Sequence, residues 1–152
     1  MKIKRSTNNF VTGRFSTHGR LDTILEDGIF ISHSTGPFNI EWVTALDKLR
    51  RACLTDVTPT YKSASITIFH NSMLMSKEAL DVYSKNLKQH LSEIQISPII
   101  AYVTPPGVEG KSIMLPFFER LFLENNVYWR AFENLDDAKV WVRSMLDEFI
   151  NA

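Results

Sequence analysis

Apolar and polar residues alternate along this chain in two rhythms. From about residue 63 onward, a short apolar run is followed by a longer stretch with an apolar residue every third or fourth position, and the pair occurs three times. Ile66, Ile68 and Phe69 lie in the first run, and Leu80, Tyr83, Leu87, Leu91 and Ile94 mark one face of the helix behind it. Pro98 to Val103 is apolar almost throughout, as in a strand covered on both faces. Pro98 fits the first position of that strand, where a missing N–H is tolerated. Ile113 to Leu123 is apolar nearly all round and contains Pro116, which favours a helix starting at the proline. Val127 to Phe132 reads as the last strand, and Ala138, Val142, Met145 and Phe149 as the buried stripe of the last helix. Strands alternating with helices predict a sheet flanked by helices, usually parallel.

The first part of the chain reads differently. Phe10 to Phe15 is a weak strand, which Ile24 and Leu25 extend or follow. Glu26-Asp27-Gly28 is turn chemistry, and Ile29 to His33 is the next strand, broken by Gly36-Pro37. A helix follows from Asn39, its N-cap, with Phe38 and Val43 placed as a hydrophobic staple. Trp42, Leu46, Leu49 and Cys53 share one face of it, and Asp56 to Thr60 is a polar loop. Ser76 and Asn134 cap the second and fourth helices, with Glu78, Asp136 and Asp137 favourably placed in their first turns. One domain over residues 1–152 is predicted, with residues 1–9 mobile.

Composition narrows the partners. At 152 residues the chain can bury a core without disulfide or metal staples. Lys plus Arg and Asp plus Glu both number 17, so net charge is zero, which argues against nucleic acid as the partner. Lys2, Lys4, Arg5, Arg14 and Arg20 make the start basic, but a solvated terminus explains them. Cys53 is the single cysteine and falls on an apolar helix stripe, where it acts as small filler. The sequence shows no leader and no apolar run long enough to span a membrane, so a soluble cytoplasmic protein is expected.

Three stretches carry a more specific pattern: Ser34-Thr35-Gly36-Pro37-Phe38-Asn39 before the first helix, Ser76-Lys77-Glu78-Ala79 at the second, and the closing Ala131-Phe132-Glu133-Asn134-Leu135-Asp136-Asp137-Ala138-Lys139-Val140-Trp141-Val142. In this order, over residues 28 to 149, the chain resembles the SpoIIAA-like branch of the STAS/Sec14-type fold. The resemblance implies an α/β domain with a mixed, mostly parallel sheet of four to five strands and about four helices, mainly on one side. In STAS anti-sigma-factor antagonists a serine at the start of the second helix is phosphorylated within an Asp-Ser-Ser-Gly motif. Ser76 stands near that place but is preceded by Met75 and followed by Lys77-Glu78. A helix cap accounts for it, and the resemblance adds a candidate regulatory position. Sec14-like relatives enclose a lipid, although no lipid head-group motif is visible here.

Chemistry-bearing clusters are few. His18, His33, His70 and His90 have no metal-ligand spacing, so neither a metal nor a cofactor is expected. His33 and His70 end strands that are candidate neighbours, which makes His33, His70 and Ser72 a candidate strand-end site. Thr104 to Ser112 ends in Gly110-Lys111-Ser112, but a phosphate loop needs a glycine where Pro105 stands. A looser anion site at the following helix start stays open. Phe117, Phe118, Leu121 and Phe122 point in more directions than one sheet face covers, which marks them as candidate binding residues. The expected function is a non-catalytic cytoplasmic STAS-like module that acts through protein contacts, as a homodimer through Leu115 to Leu123 or with another protein. The alternative is a carrier or sensor of a small apolar ligand, held between the sheet and the helix near Phe117.

Overall fold

The computed structural model of the protein describes residues 3–10, 18–54, 64–93 and 98–150. These form one six-stranded mixed sheet with four helices packed on it. The strands are β1 (Ile3–Ser6), β2 (Arg20–Glu26), β3 (Ile29–Thr35), β4 (Ala64–His70), β5 (Ile99–Val103) and β6 (Tyr128–Phe132). The helices are α1 (Ile40–Leu54), α2 (Lys77–Glu93), α3 (Lys111–Glu124) and α4 (Leu135–Ile150). Spatial order equals chain order. β1, β2 and β3 pair antiparallel, and β3 to β6 run parallel. Right-handed crossovers between successive parallel neighbours put every connecting helix on one face. Accordingly α1, α2 and α3 share a core with Leu21, Phe69 and Tyr102 of the sheet. α4 follows the last strand and returns under the opposite face, where Ala138 and Val142 are fully buried against Ile66, Ile99 and Ala101.

The sheet has more strands than expected because the chain start joins it. Residues 3–6, expected to be mobile, form the edge strand β1, with Ile3 opposite Leu25 and Ser6 opposite Asp22. The outer side of β2 offers unpaired backbone groups, and β1 satisfies them. A 3-10 turn follows (Thr7–Phe10), pinned where the Leu21 N–H donates to the fully buried Thr7 Oγ1 at 3.0 Å. Of the strand expected over Phe10 to Phe15, Phe10 closes that turn and the rest lies outside the described residues, as does the loop expected over Asp56 to Thr60.

Helix starts follow the capping chemistry. Asn39 Oδ1 accepts from the Trp42 N–H at 3.0 Å, Ser76 Oγ from the Ala79 N–H at 3.2 Å, and Asn134 Oδ1 from the Asp137 N–H at 2.9 Å. Phe38 packs on Trp42, ring centroids 4.1 Å apart. α3 departs from expectation: it starts at Lys111, and Pro116 lies inside it. Gly110, at φ 80°, supplies a left-handed start whose carbonyl accepts from Ile113 and Met114. Burial of Met114 on the added turn offsets the one ladder bond the proline lacks. No helix among the described residues is long and apolar enough to cross a membrane.

Candidate functional site

Alternation along the strands separates the two sheet faces. On the α4 side β4 presents Ala64, Ile66 and Ile68. On the other side it presents Ser65, Thr67 and Phe69, and β3 presents Phe30, Ser32 and Ser34. The register aligns these polar positions. Thr23 pairs with Ser32, Ser32 with Thr67, and Thr67 with Tyr102, so a row of hydroxyls crosses four strands. Such a floor packs poorly against apolar helices. A cavity of about 160 Å³ lies between it and the inner faces of α1 and α2. Leu46 and Leu49 of α1, Leu87 of α2 and Phe118 of α3 supply its apolar wall. Thr67 and Ile100 belong to the two central strands yet are only half-buried, so the cavity reaches solvent.

Two kinds of polar group face this space. Within the row, Ser32 Oγ donates to Thr23 Oγ1 at 2.9 Å. Ser34 and Trp42, 1% and 3% exposed, are among the lining residues, and their Oγ and Nε1 are buried with no hydrogen-bond partner among the described residues. Buried polar atoms are nearly always paired, so each of these two calls for a small polar neighbour, which an ordered water can supply. Toward the C-terminal ends of α1 and α2 stand Arg50 and His90. Arg50 Nη2–H donates to the Tyr83 hydroxyl at 3.0 Å, and the Tyr83 and Tyr102 hydroxyls are 3.4 Å apart. Burial, and then Tyr83 beside it, pushes the Tyr102 phenol well up, so it stays protonated, and either hydroxyl of the pair can donate to the other. Burial, followed by the charge of Arg50, lowers the His90 pKa. Residues 55–63 and 94–97 adjoin this end in sequence and lie outside the described residues.

The residues singled out from sequence fall in several places. His33 and His70 do meet: Nδ1 of one is 2.8 Å from Nε2 of the other, and the rings stack at 5.1 Å. The pair is exposed on the α4 side of the sheet. Burial, then the charge of His33, lowers the His70 pKa. Ser72 is not part of that pair. It is buried and donates to Glu109 Oε1 at 2.9 Å, tying the loop after β4 to the loop after β5. Among the described residues no group of three His, Cys, Asp or Glu is placed to hold a metal. Ser76 is exposed at the start of α2 and does not line the cavity, although Met75 before it does. Phe118, Leu121 and Phe122 are core residues, at most 6% exposed, and Phe117 is half-buried. The α1–α3 side carries enough aromatic surface to absorb them: Phe118 packs edge-on against Tyr83 and Tyr102, and Phe122 stacks on Trp129. The exposed apolar residues of α3 are Ile113 and Leu123 instead.

Sequence reasoning missed the hydroxyl row, Arg50 and Trp42 as site residues. The signal was present in β4. A strand interior to a parallel sheet is normally apolar on both faces, whereas Ser65 and Thr67 make one face polar. No family model matches the chain, and no curated protein matches it.

Proposed function

We propose that this protein is a non-catalytic cytoplasmic module that carries or senses a small, mainly apolar molecule in the cavity between the sheet and α1/α2. The observation that carries the reading is the cavity itself, about 160 Å³ between a floor carrying Ser32, Ser34 and Thr67 and a wall of Leu46, Leu49, Leu87 and Phe118. A ligand pocket combines an apolar body with a few placed polar groups, and this cavity has that composition. Its volume is close to that of engineered cavities, about 150 Å³, that bind a single benzene ring. Kinship with the SpoIIAA-like branch is part of the same reading and rests on the element order and the three quoted stretches. A sensing role fits a pocket bounded by α1 and α2, because an occupant that bridges sheet and helices favours one arrangement of them.

Amide shift mapping with a neutral one-ring probe, 4-ethylphenol, tests the proposal. The largest shifts are expected at Ser32, Ser34, Trp42, Thr67 and Tyr102. Thr67→Phe, which plugs the floor at a half-buried position, should abolish them and keep the fold. Shifts scattered over the surface, or unchanged by the plug, would overturn the reading.

A second reading, a homodimer or other protein contact through α3, rests on Leu123 and Ile113, 75% and 69% exposed. They stand ten residues apart, about 15 Å along the helix, so they do not merge into one patch. Sedimentation at high micromolar concentration decides it: dimers that dissociate on Leu123→Glu support it, and monomers throughout remove it.

A further inference from the structure

Arg50 is the cationic side chain of the cavity wall that meets no carboxylate among the described residues. Its neighbour Arg51 takes the acids at this end of α1 and α2: Arg51 Nε is 3.3 Å from Asp47 Oδ2, and Nη1 is 3.3 Å from Glu93 Oε2. No ion pair to Arg50 forms among the described residues. Its guanidinium stands 5.0 Å over the Tyr83 ring, with one bond to the Tyr83 hydroxyl. A guanidinium carries five N–H donors, so most of its capacity is uncommitted, and stacking on the ring fixes its plane. Ser34 and Trp42 are lining residues as well. Trp42 and Arg50 are eight residues apart on α1, about 12 Å along its axis. Indole N–H only donates, so it requires an acceptor.

We infer that the cavity takes a small amphipathic monocarboxylate, its carboxylate held by Arg50 and its apolar body lying along the helix wall. The inference rests on the ligand-cavity reading and deepens it. That body lies against Leu46, Leu49 and Leu87 and is limited to one ring or a short chain by the 160 Å³ available. A single guanidinium with neutral hydroxyls around it matches a monoanion, whereas a phosphate dianion calls for more positive charge. The carboxylate replaces water around Arg50 without displacing an ion pair, so the site keeps its internal bonds when occupied.

Calorimetric titration of the unmodified protein with 4-hydroxyphenylacetate and its neutral isostere 4-hydroxyphenylacetamide tests the inference. The acid is expected to bind about tenfold tighter or better, a difference of about 1.4 kcal/mol or more. Arg50→Gln should erase that difference and leave amide binding within about twofold. Tyr83→Phe removes the hydroxyl but keeps the charge, and should preserve the preference. If Arg50→Gln fails to fold, salt decides: acid affinity must fall from low to high salt while amide affinity holds. Equal affinity for acid and amide, or a preference that survives Arg50→Gln, overturns the inference and leaves the cavity reading standing. Failure of both compounds while 4-ethylphenol still binds does the same. If 4-ethylphenol also fails, the cavity reading falls with it.

Discussion

Ser32 and Ser34 offer a comparison in which almost everything but one hydrogen bond is held constant. They lie two residues apart on β3, face the same side, and are 6% and 1% exposed. Ser32 Oγ donates to Thr23 Oγ1 at 2.9 Å, whereas Ser34 Oγ has no partner among the described residues. A buried hydroxyl left unpaired costs about 1–3 kcal/mol, and a made hydrogen bond contributes a net of about 0.5–1.5 kcal/mol. Ser34→Ala should therefore stabilise the protein by about 1 kcal/mol, the low end of the range. Ser32→Ala should destabilise it by about 1 kcal/mol. The two alanine variants then differ by about 2 kcal/mol, or about 4–8 °C in Tm for a chain of 152 residues. Urea unfolding with equal m values, backed by calorimetry, reads the difference directly. A Ser34→Ala variant less stable than the parent, or two variants shifted alike, would refute the reasoning. Ser34 would then have a partner.

Three further expectations follow from the packing and the titrating groups. Phe118→Ala should cost about 3–5 kcal/mol because the ring is 1% exposed among Tyr83, Tyr102 and Phe122, while Leu123→Ala should stay within about 0.5 kcal/mol; similar losses in chemical denaturation would reverse the assigned orientation of α3. Ser76→Ala should lose about 1 kcal/mol with the Ala79 cap bond, and Ser76→Asp should retain it, since aspartate also caps; if Ser76→Asp loses as much as alanine, the cap is not the role of this residue. His70 and His90 are both held below the ordinary histidine value of 6.5, so the unfolded chain takes up protons first as the pH falls. Their contribution is complete above about pH 7, declines as the pH drops through 6.5, and levels off below the folded values. The His70→Asn, His90→Gln double variant should flatten that segment of the urea-midpoint profile; an unchanged slope would rule both groups out.

Much of the fold was legible in the chain because local and tertiary preferences agree there. Asn39, Ser76 and Asn134 start helices because each carries a side-chain acceptor just ahead of an apolar stripe. Ala138 and Val142 occupy the buried stripe of α4 that the spacing specified. The misreadings occurred where a distant surface decides. Ile3–Ser6 carries two basic residues and reads as a loose terminus, but the free edge of β2 orders it. Pro116 reads as a helix start, yet Gly110 provides an earlier one. Phe118 and Phe122 look surplus on a single helix and are absorbed by Tyr83, Tyr102 and Trp129, from three other elements. The cavity was the least legible feature. Ser65 and Thr67 alternate with Ala64, Ile66 and Ile68 as in a strand with one face in water, and the α1 and α2 helices then cover that face. His33 and His70 were legible as strand ends, and the β3–β4 register made them neighbours.

The central claim is that the space between the hydroxyl row and α1/α2 is a single binding site. Equilibrium dialysis of the unmodified protein and of Thr67→Phe against labelled 4-ethylphenol tests it most directly. The account predicts saturation at one molecule per chain for the unmodified protein and loss of that site in Thr67→Phe. Uptake that never saturates, or that is equal in the two proteins, would contradict it.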